Sequence, residues 1–111
     1  MNSLPVWALP EVEGDLRIAI EHYSSWRSDG ADHVLQKYNE TTSWIGWNPE
    51  AFPQKHGPIS HAILKQSYYI VYFVVDVDRI VVLAVLDGRR NPREIRAILK
   101  KRKVGSGGKG G

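Results

Sequence analysis

The sequence contains no cysteine. Disulfide cross-links and thiolate metal sites are therefore excluded, and stability must come from a packed core. Long apolar runs are also missing. The longest, around Tyr68–Val75, falls short of the roughly 20 residues that a helix needs to cross a bilayer. Met1–Leu9 lacks a basic stretch followed by an extended apolar one, so no signal peptide is expected. A cytoplasmic location, with no membrane partner, is the expectation. Basic residues are scarce in the first half. Up to Gln54 only Arg17, Arg27 and Lys37 stand against eight acids.

The second half reverses that balance. From Lys55 onward twelve Lys and Arg face only Asp76, Asp78, Asp87 and Glu94. The net charge of +3 thus conceals an acidic half and a basic one. Such asymmetry suits a polyanion or an acidic protein partner, and equally a solvated basic face with a tail. At 111 residues the chain fits one domain and leaves little room for a second. A large buried catalytic cavity is not expected.

Leu4–Leu9 reads as a short strand, and Pro5 assigns it to a sheet edge or a strand start. Pro10 opens a helix whose first turn carries Glu11, Glu13 and Asp15, acids that suit the positive end of the helix dipole. Val12, Leu16, Ala19, Ile20, Tyr23 and Trp26 form its apolar stripe. Ser28-Asp29-Gly30 ends it. A second helix over Ala31–Trp47 carries Leu35, Tyr38, Thr42 and Ile45, and Asn48-Pro49 stops it. Together the two read as an antiparallel hairpin. Asn48–Pro58 reads as a loop with three prolines.

Strands follow at Ile59–Lys65, Tyr68–Val75 and Arg79–Leu86, with a hairpin turn at Asp76-Val77-Asp78. The last strand is nearly all apolar, the pattern of burial on both faces. Asn91–Lys101 reads as a short helix, with Asn91 as N-cap and Pro92 in the first position. The fold class is α+β: an N-terminal strand, an antiparallel helix hairpin on a small, mostly antiparallel sheet, and a short C-terminal helix. Residues 102–111 form a basic, Gly-rich segment expected to be disordered. Its glycines neither follow a strand nor open a helix, so they make no phosphate cradle.

Four stretches of this order resemble the RelE/ParE toxins of type II toxin–antitoxin systems. Pro10-Glu11-Val12-Glu13-Gly14-Asp15-Leu16 is similar to that family's opening of helix one. Trp47-Asn48-Pro49-Glu50-Ala51-Phe52-Pro53 is similar to its N-P-x-x-F-P segment. Tyr68-Tyr69-Ile70-Val71-Tyr72 resembles its Y-R-[IVL]-V-Y strand. Asp78 to Arg90, followed by Asn91-Pro92, resembles its last strand and H-G-R-R-[DN]-P ending. The resemblance spans Val6 to Arg93, so residues 1–101 are expected to form one RelE/ParE-like domain. It implies a growth-arresting toxin held inactive in a hetero-oligomer with a cognate antitoxin.

The resemblance leaves two targets open. ParE-like members poison DNA gyrase; RelE-like members cut messenger RNA on the ribosome. RNA cleavage by 2′-OH attack needs acid–base groups and positive charge on the phosphate. The Arg of the Y-R-x-V-Y strand falls at Tyr69 here, and Tyr is uncharged at neutral pH. Basic residues of the preceding strand fall near Ser60–Ala62, where only His61 could act. The cation set is therefore depleted, and an alternative nuclease set would be Arg90, Tyr69, Tyr72 and His61. Gyrase inhibition needs a surface instead, and Arg89, Arg90, Arg93 and Arg96 with the Lys100–Lys103 cluster offer a basic one. The balance favours gyrase. An inactive, antitoxin-binding relative is a third alternative, since fold does not guarantee activity.

Other residues carry plainer expectations. Trp7, Trp26, Trp44 and Trp47 are expected to pack between helices and sheet. Trp44 and Trp47 could alternatively be exposed as anchors for the antitoxin. His22 and His33 are expected at the surface. His56 and His61, five residues apart without helical register, are not expected to bind a metal, and no cofactor is expected. Along the strand, Tyr68 and Tyr72 share one face and Tyr69 takes the other.

Overall fold

The computed structural model describes residues 3–107. The elements run β1 (Val6–Ala8), α1 (Glu11–Ser24), α2 (Gly30–Trp47), β2 (Gln54–His56), β3 (Ile59–Ile63), β4 (Tyr69–Val75), β5 (Ile80–Asp87) and α3 (Pro92–Gly107). One five-stranded sheet has the order β1-β5-β4-β3-β2. Its pairs are antiparallel except β1 with β5, which is parallel. Pro5 thus precedes an edge strand, where its missing N–H costs no ladder bond.

The α1–α2 hairpin covers one face of the sheet. Val12, Ala19 and Tyr23 of α1 and Val34 and Ile45 of α2 pack there on Val71, Phe73, Val82 and Val85. The inward stripe of α2 runs through Val34, Thr41 and Ile45, so Leu35 turns outward and is 42% exposed. α3 covers the opposite face, with Ile95 and Leu99 against Tyr72, Leu83 and Leu86. Each such aliphatic side chain, fully buried, is worth about 1.5–3 kcal/mol. Strand β5 lies between these layers, and Ile80–Leu86 is buried throughout.

β5 carries a bulge. Tyr72 pairs with Ala84 and Phe73 with Val82, so Leu83 is the extra residue. The bulge places the neighbours Leu83 and Ala84 together on the α3 side, while Val82 and Val85 face the hairpin.

Three expectations need correction. The Pro-rich segment is not all loop: it holds a single 3-10 turn at Pro49–Ala51 and the edge strand β2, whose short polar sequence hides any alternation. α3 does not stop at Lys101. It runs to Gly107, and Arg102 turns back onto the sheet, so the segment expected to be disordered from residue 102 is helical as far as Gly107. Residues 108–111 lie outside the described residues. Finally, the tryptophans do not fill the core. Trp7, Trp26, Trp44 and Trp47 are 58%, 62%, 62% and 49% exposed. They stand on an edge strand, beyond the end of α1 and on the outer side of α2, while aliphatic residues fill the interior.

Asn91 caps α3 as its sequence predicts. Its Oδ1 accepts the Arg93 N–H at 2.8 Å, and its carbonyl accepts the Ile95 N–H at 3.1 Å.

Candidate functional site

The basic end begins where β5 ends. Asp87 is the last strand residue, half-buried, and Arg89 folds back onto it in a fork: Nε to Oδ1 at 3.0 Å and Nη2 to Oδ2 at 2.8 Å. The Arg89 guanidinium also lies 4.0 Å from the Tyr68 ring centroid, a cation–π contact. The hydrogen bond from Arg89 holds the Asp87 carboxyl below its ordinary range, against the opposing effect of burial. Arg90 is looser, with Nε 3.5 Å from Glu94 Oε1. Arg93 and Arg96 are exposed on α3. Arg89 and Arg90 are each answered by a carboxylate.

The proposed nuclease residues are not brought together. Tyr69 faces the helix hairpin, with its ring 6.2 Å from those of His22 and Tyr23. It is 5% exposed, and burial, then Asp87, raises its pKa, so the phenol stays protonated at neutral pH. Arg90 lines a small recess with Tyr69, Asp15 and Ile18 on this side. Tyr72 and His61 lie on the other face, directly opposite one another across β4 and β3. The alternation of strand side chains accounts for the division.

The sequence did not point to His56 as a partner of these residues. The end of β2 brings its ring 6.0 Å from that of Tyr72. Burial, followed by the charges of Arg96, Lys55 and His61, lowers its pKa. Among the described residues no group of three or more His, Cys, Asp or Glu could hold a metal ion. No helix among them is long and apolar enough to cross a membrane.

On the outer side of α2, Trp44 and Trp47 stand edge to face, with ring centroids 5.7 Å apart at 83°. With Glu40 and Ser43 they line a cleft of about 420 Å³. A second cleft, of about 350 Å³, lies between His22, Tyr23 and Trp26 of the hairpin and Gln66, Ser67 and Tyr68 of the β3–β4 turn.

The chain is similar in structure to a chain of the chromosomal ParDE toxin–antitoxin system from P. aeruginosa. The match covers 77% of this chain and 96% of that one, with a TM-score of 0.63 at 15% sequence identity. The fold is that of the RelE/ParE toxins. No family model matches the sequence, and no curated protein does. Within this RelE/ParE-like fold, Asp15 of the helix-one motif is buried and pairs with Arg102. The Gly88-Arg89-Arg90 ending sits beside the exposed Tyr68.

Proposed function

We propose that this chain is the toxin of a type II toxin–antitoxin pair, acting by binding DNA gyrase rather than by cutting RNA, and neutralised by a cognate antitoxin. The observation that carries binding over cleavage is the division of Arg90 and Tyr69 from Tyr72 and His61 by the sheet itself. Metal-free RNA cleavage needs its acid, base and phosphate cations within reach of one phosphodiester. Tyr69, where the RelE-like pattern has Arg, is a buried neutral phenol. Target binding needs only the exposed basic end, with Arg89, Arg90, Arg93 and Arg96. Trp44 and Trp47, perpendicular and exposed, suit an antitoxin segment on the opposite, acidic half of the chain.

The test is induction of the chain alone in bacteria, following DNA, RNA and protein synthesis by pulse labelling. Early loss of DNA synthesis with an SOS response is the expected result. Early loss of translation with cut messages would overturn gyrase in favour of the nuclease. Normal growth would mark an inactive, antitoxin-binding relative.

A further inference from the structure

α3 does not cover its side of the sheet along the whole length. Ile95 and Leu99 pack over Tyr72, Leu83 and Leu86. At the other end of β5 the strand register places Trp7 of β1, Val81 of β5 and Val74 of β4 in one row. This row lines a cleft of about 490 Å³, together with Leu9, Asp76, Arg79 and Lys103. Volumes of about 300–1,000 Å³ are usual for small-molecule sites with mostly apolar walls and a few polar groups. Trp7 is 58% exposed, so its ring is open to a ligand.

The guanidinium at this cleft is held in place but not satisfied. The Asp76 N–H donates to the Arg79 carbonyl at 2.8 Å, and Asp76 Oδ1 accepts the Val77 N–H at 2.8 Å. The turn between β4 and β5 thus fixes the backbone that carries Arg79. Its guanidinium lies 6.0 Å from the Trp7 ring centroid, a cation–π contact. Its Nε is 3.8 Å from Asp76 Oδ2, beyond hydrogen-bond distance. The guanidinium of Arg79 makes no hydrogen bond among the described residues. Those of Arg89 and Arg102, in contrast, are each forked onto an aspartate. A planar set of donors is left unused beside an exposed indole and an apolar wall.

We propose that the Trp7 cleft binds a small aromatic carboxylic acid. The ring of the ligand lies against Trp7, Val74 and Val81, and its carboxylate takes two parallel hydrogen bonds from Arg79. Charge selects the class: Arg79 and Lys103 stand against Asp76 alone, which favours an acid over an amine. The cleft at Trp44 and Trp47 makes the contrast. It is of similar size and has aromatic walls, but its charged residue is Glu40, which repels a carboxylate. Neither Trp7 nor Arg79 belongs to the proposed gyrase or antitoxin surface, so the proposal stands apart from both.

The test is proton NMR of the indole N–H signals of the four tryptophans in the full chain. The probes are β-naphthoate, the matching neutral alcohol and the matching amine, each titrated at constant ionic strength. The expected result is saturable movement of the Trp7 signal with the acid, binding about tenfold weaker for the alcohol, weaker still for the amine, and little change at Trp44 and Trp47 with the acid. Arg79 is exposed, so Arg79→Gln should keep the fold, seen in unmoved signals of the other three tryptophans, and lower the affinity for the acid about tenfold. Equal binding of acid and alcohol, equal movement at Trp44 and Trp47, or undiminished binding by a folded Arg79→Gln protein would overturn the proposal. A Trp7 signal that moves on dilution of the protein alone would give the cleft to a second copy of the chain and overturn it as well.

Discussion

Asp15 and Arg102 lie 87 positions apart and close the open edge of β5 between them. β1 is short: its last contact with β5 is the Leu9 N–H on the Val82 carbonyl at 3.0 Å. Just past that point the bulge leaves β5 backbone groups facing no strand. The Asp15 carboxylate accepts the Val85 N–H at 2.9 Å, and Arg102 Nη1 donates to the Leu83 carbonyl at 3.1 Å. The two side chains then pair with each other at 2.5 and 3.1 Å. One ion pair thus ties α1, β5 and α3 together.

Breaking this pair should be expensive, because the partner left behind is buried. Asp15 is 7% exposed as a side chain and Arg102 16%. Removing one member of such a pair costs about 3–5 kcal/mol. Asp15→Ala should show that loss in urea unfolding. Asp15→Asn should cost less, since its amide oxygen can still accept the Val85 N–H. Equal losses for the two variants would place the value in the charge rather than in closing the strand edge.

Gly30 is fixed by the hairpin crossing. A Cβ there would stand 2.5 Å from the Ser24 backbone nitrogen and 2.7 Å from its Cα. Backbone cannot yield as a side-chain tip does. Gly30→Ala should therefore destabilise by about 1–3 kcal/mol, although Ala is the better helix former. Unfolding midpoints of the two proteins measure it, and an unchanged midpoint would mean the helices can separate freely.

The helix hairpin and the buried last strand were legible because their apolar periodicity is strong. β2 was not, because three polar residues between prolines show no period. Asp15 read as an acid suited to a helix N-terminus. Its true role depends on Arg102, which local sequence cannot associate with it. The tryptophans misled for a similar reason: residue type suggested a core that smaller aliphatic residues already fill. For the candidate site, strand alternation correctly separated Tyr69 from Tyr72. It could not bring in His56, whose place follows from the β2–β3 pairing.

His33 carries a pH prediction. Burial, followed by the charges of Arg27 and Lys37, holds its pKa below the ordinary 6.5, and Asp29 opposes the shift. The unfolded chain therefore takes up the proton first as pH falls. Stability from this residue is complete above 6.5 and is lost as pH falls through the lower folded value. Urea unfolding on either side of that window should show the decline, and His33→Gln should reduce it. NMR titration should find the His33 midpoint below 6.5.

Trp44 and Trp47 separate binding from stability. Both are exposed, so replacing either by Ala should change stability by no more than about 0.5 kcal/mol. If the antitoxin anchors on them, each substitution should weaken the complex at least tenfold, the scale of about 1.4 kcal/mol for an interface anchor. Calorimetric titration with the cognate antitoxin reads this directly. Unchanged affinity in both variants would remove the α2 cleft from the antitoxin interface.

Arg89 and Arg90 are adjacent but differently held, and toxicity should tell them apart. Arg89 is committed to Asp87 and to the Tyr68 ring, so Arg89→Ala also frees a carboxylate and a stacked phenol. Arg90 has only the 3.5 Å contact with Glu94, so Arg90→Ala removes a charge and little else. It should relieve growth arrest while the unfolding midpoint stays within about 0.5 kcal/mol of the parent. Arg90→Lys should restore partial toxicity if the target reads charge, and none if it reads the planar fork. Full toxicity in a folded Arg90→Ala protein would move the target-binding surface away from the end of β5 and onto the exposed face of α3.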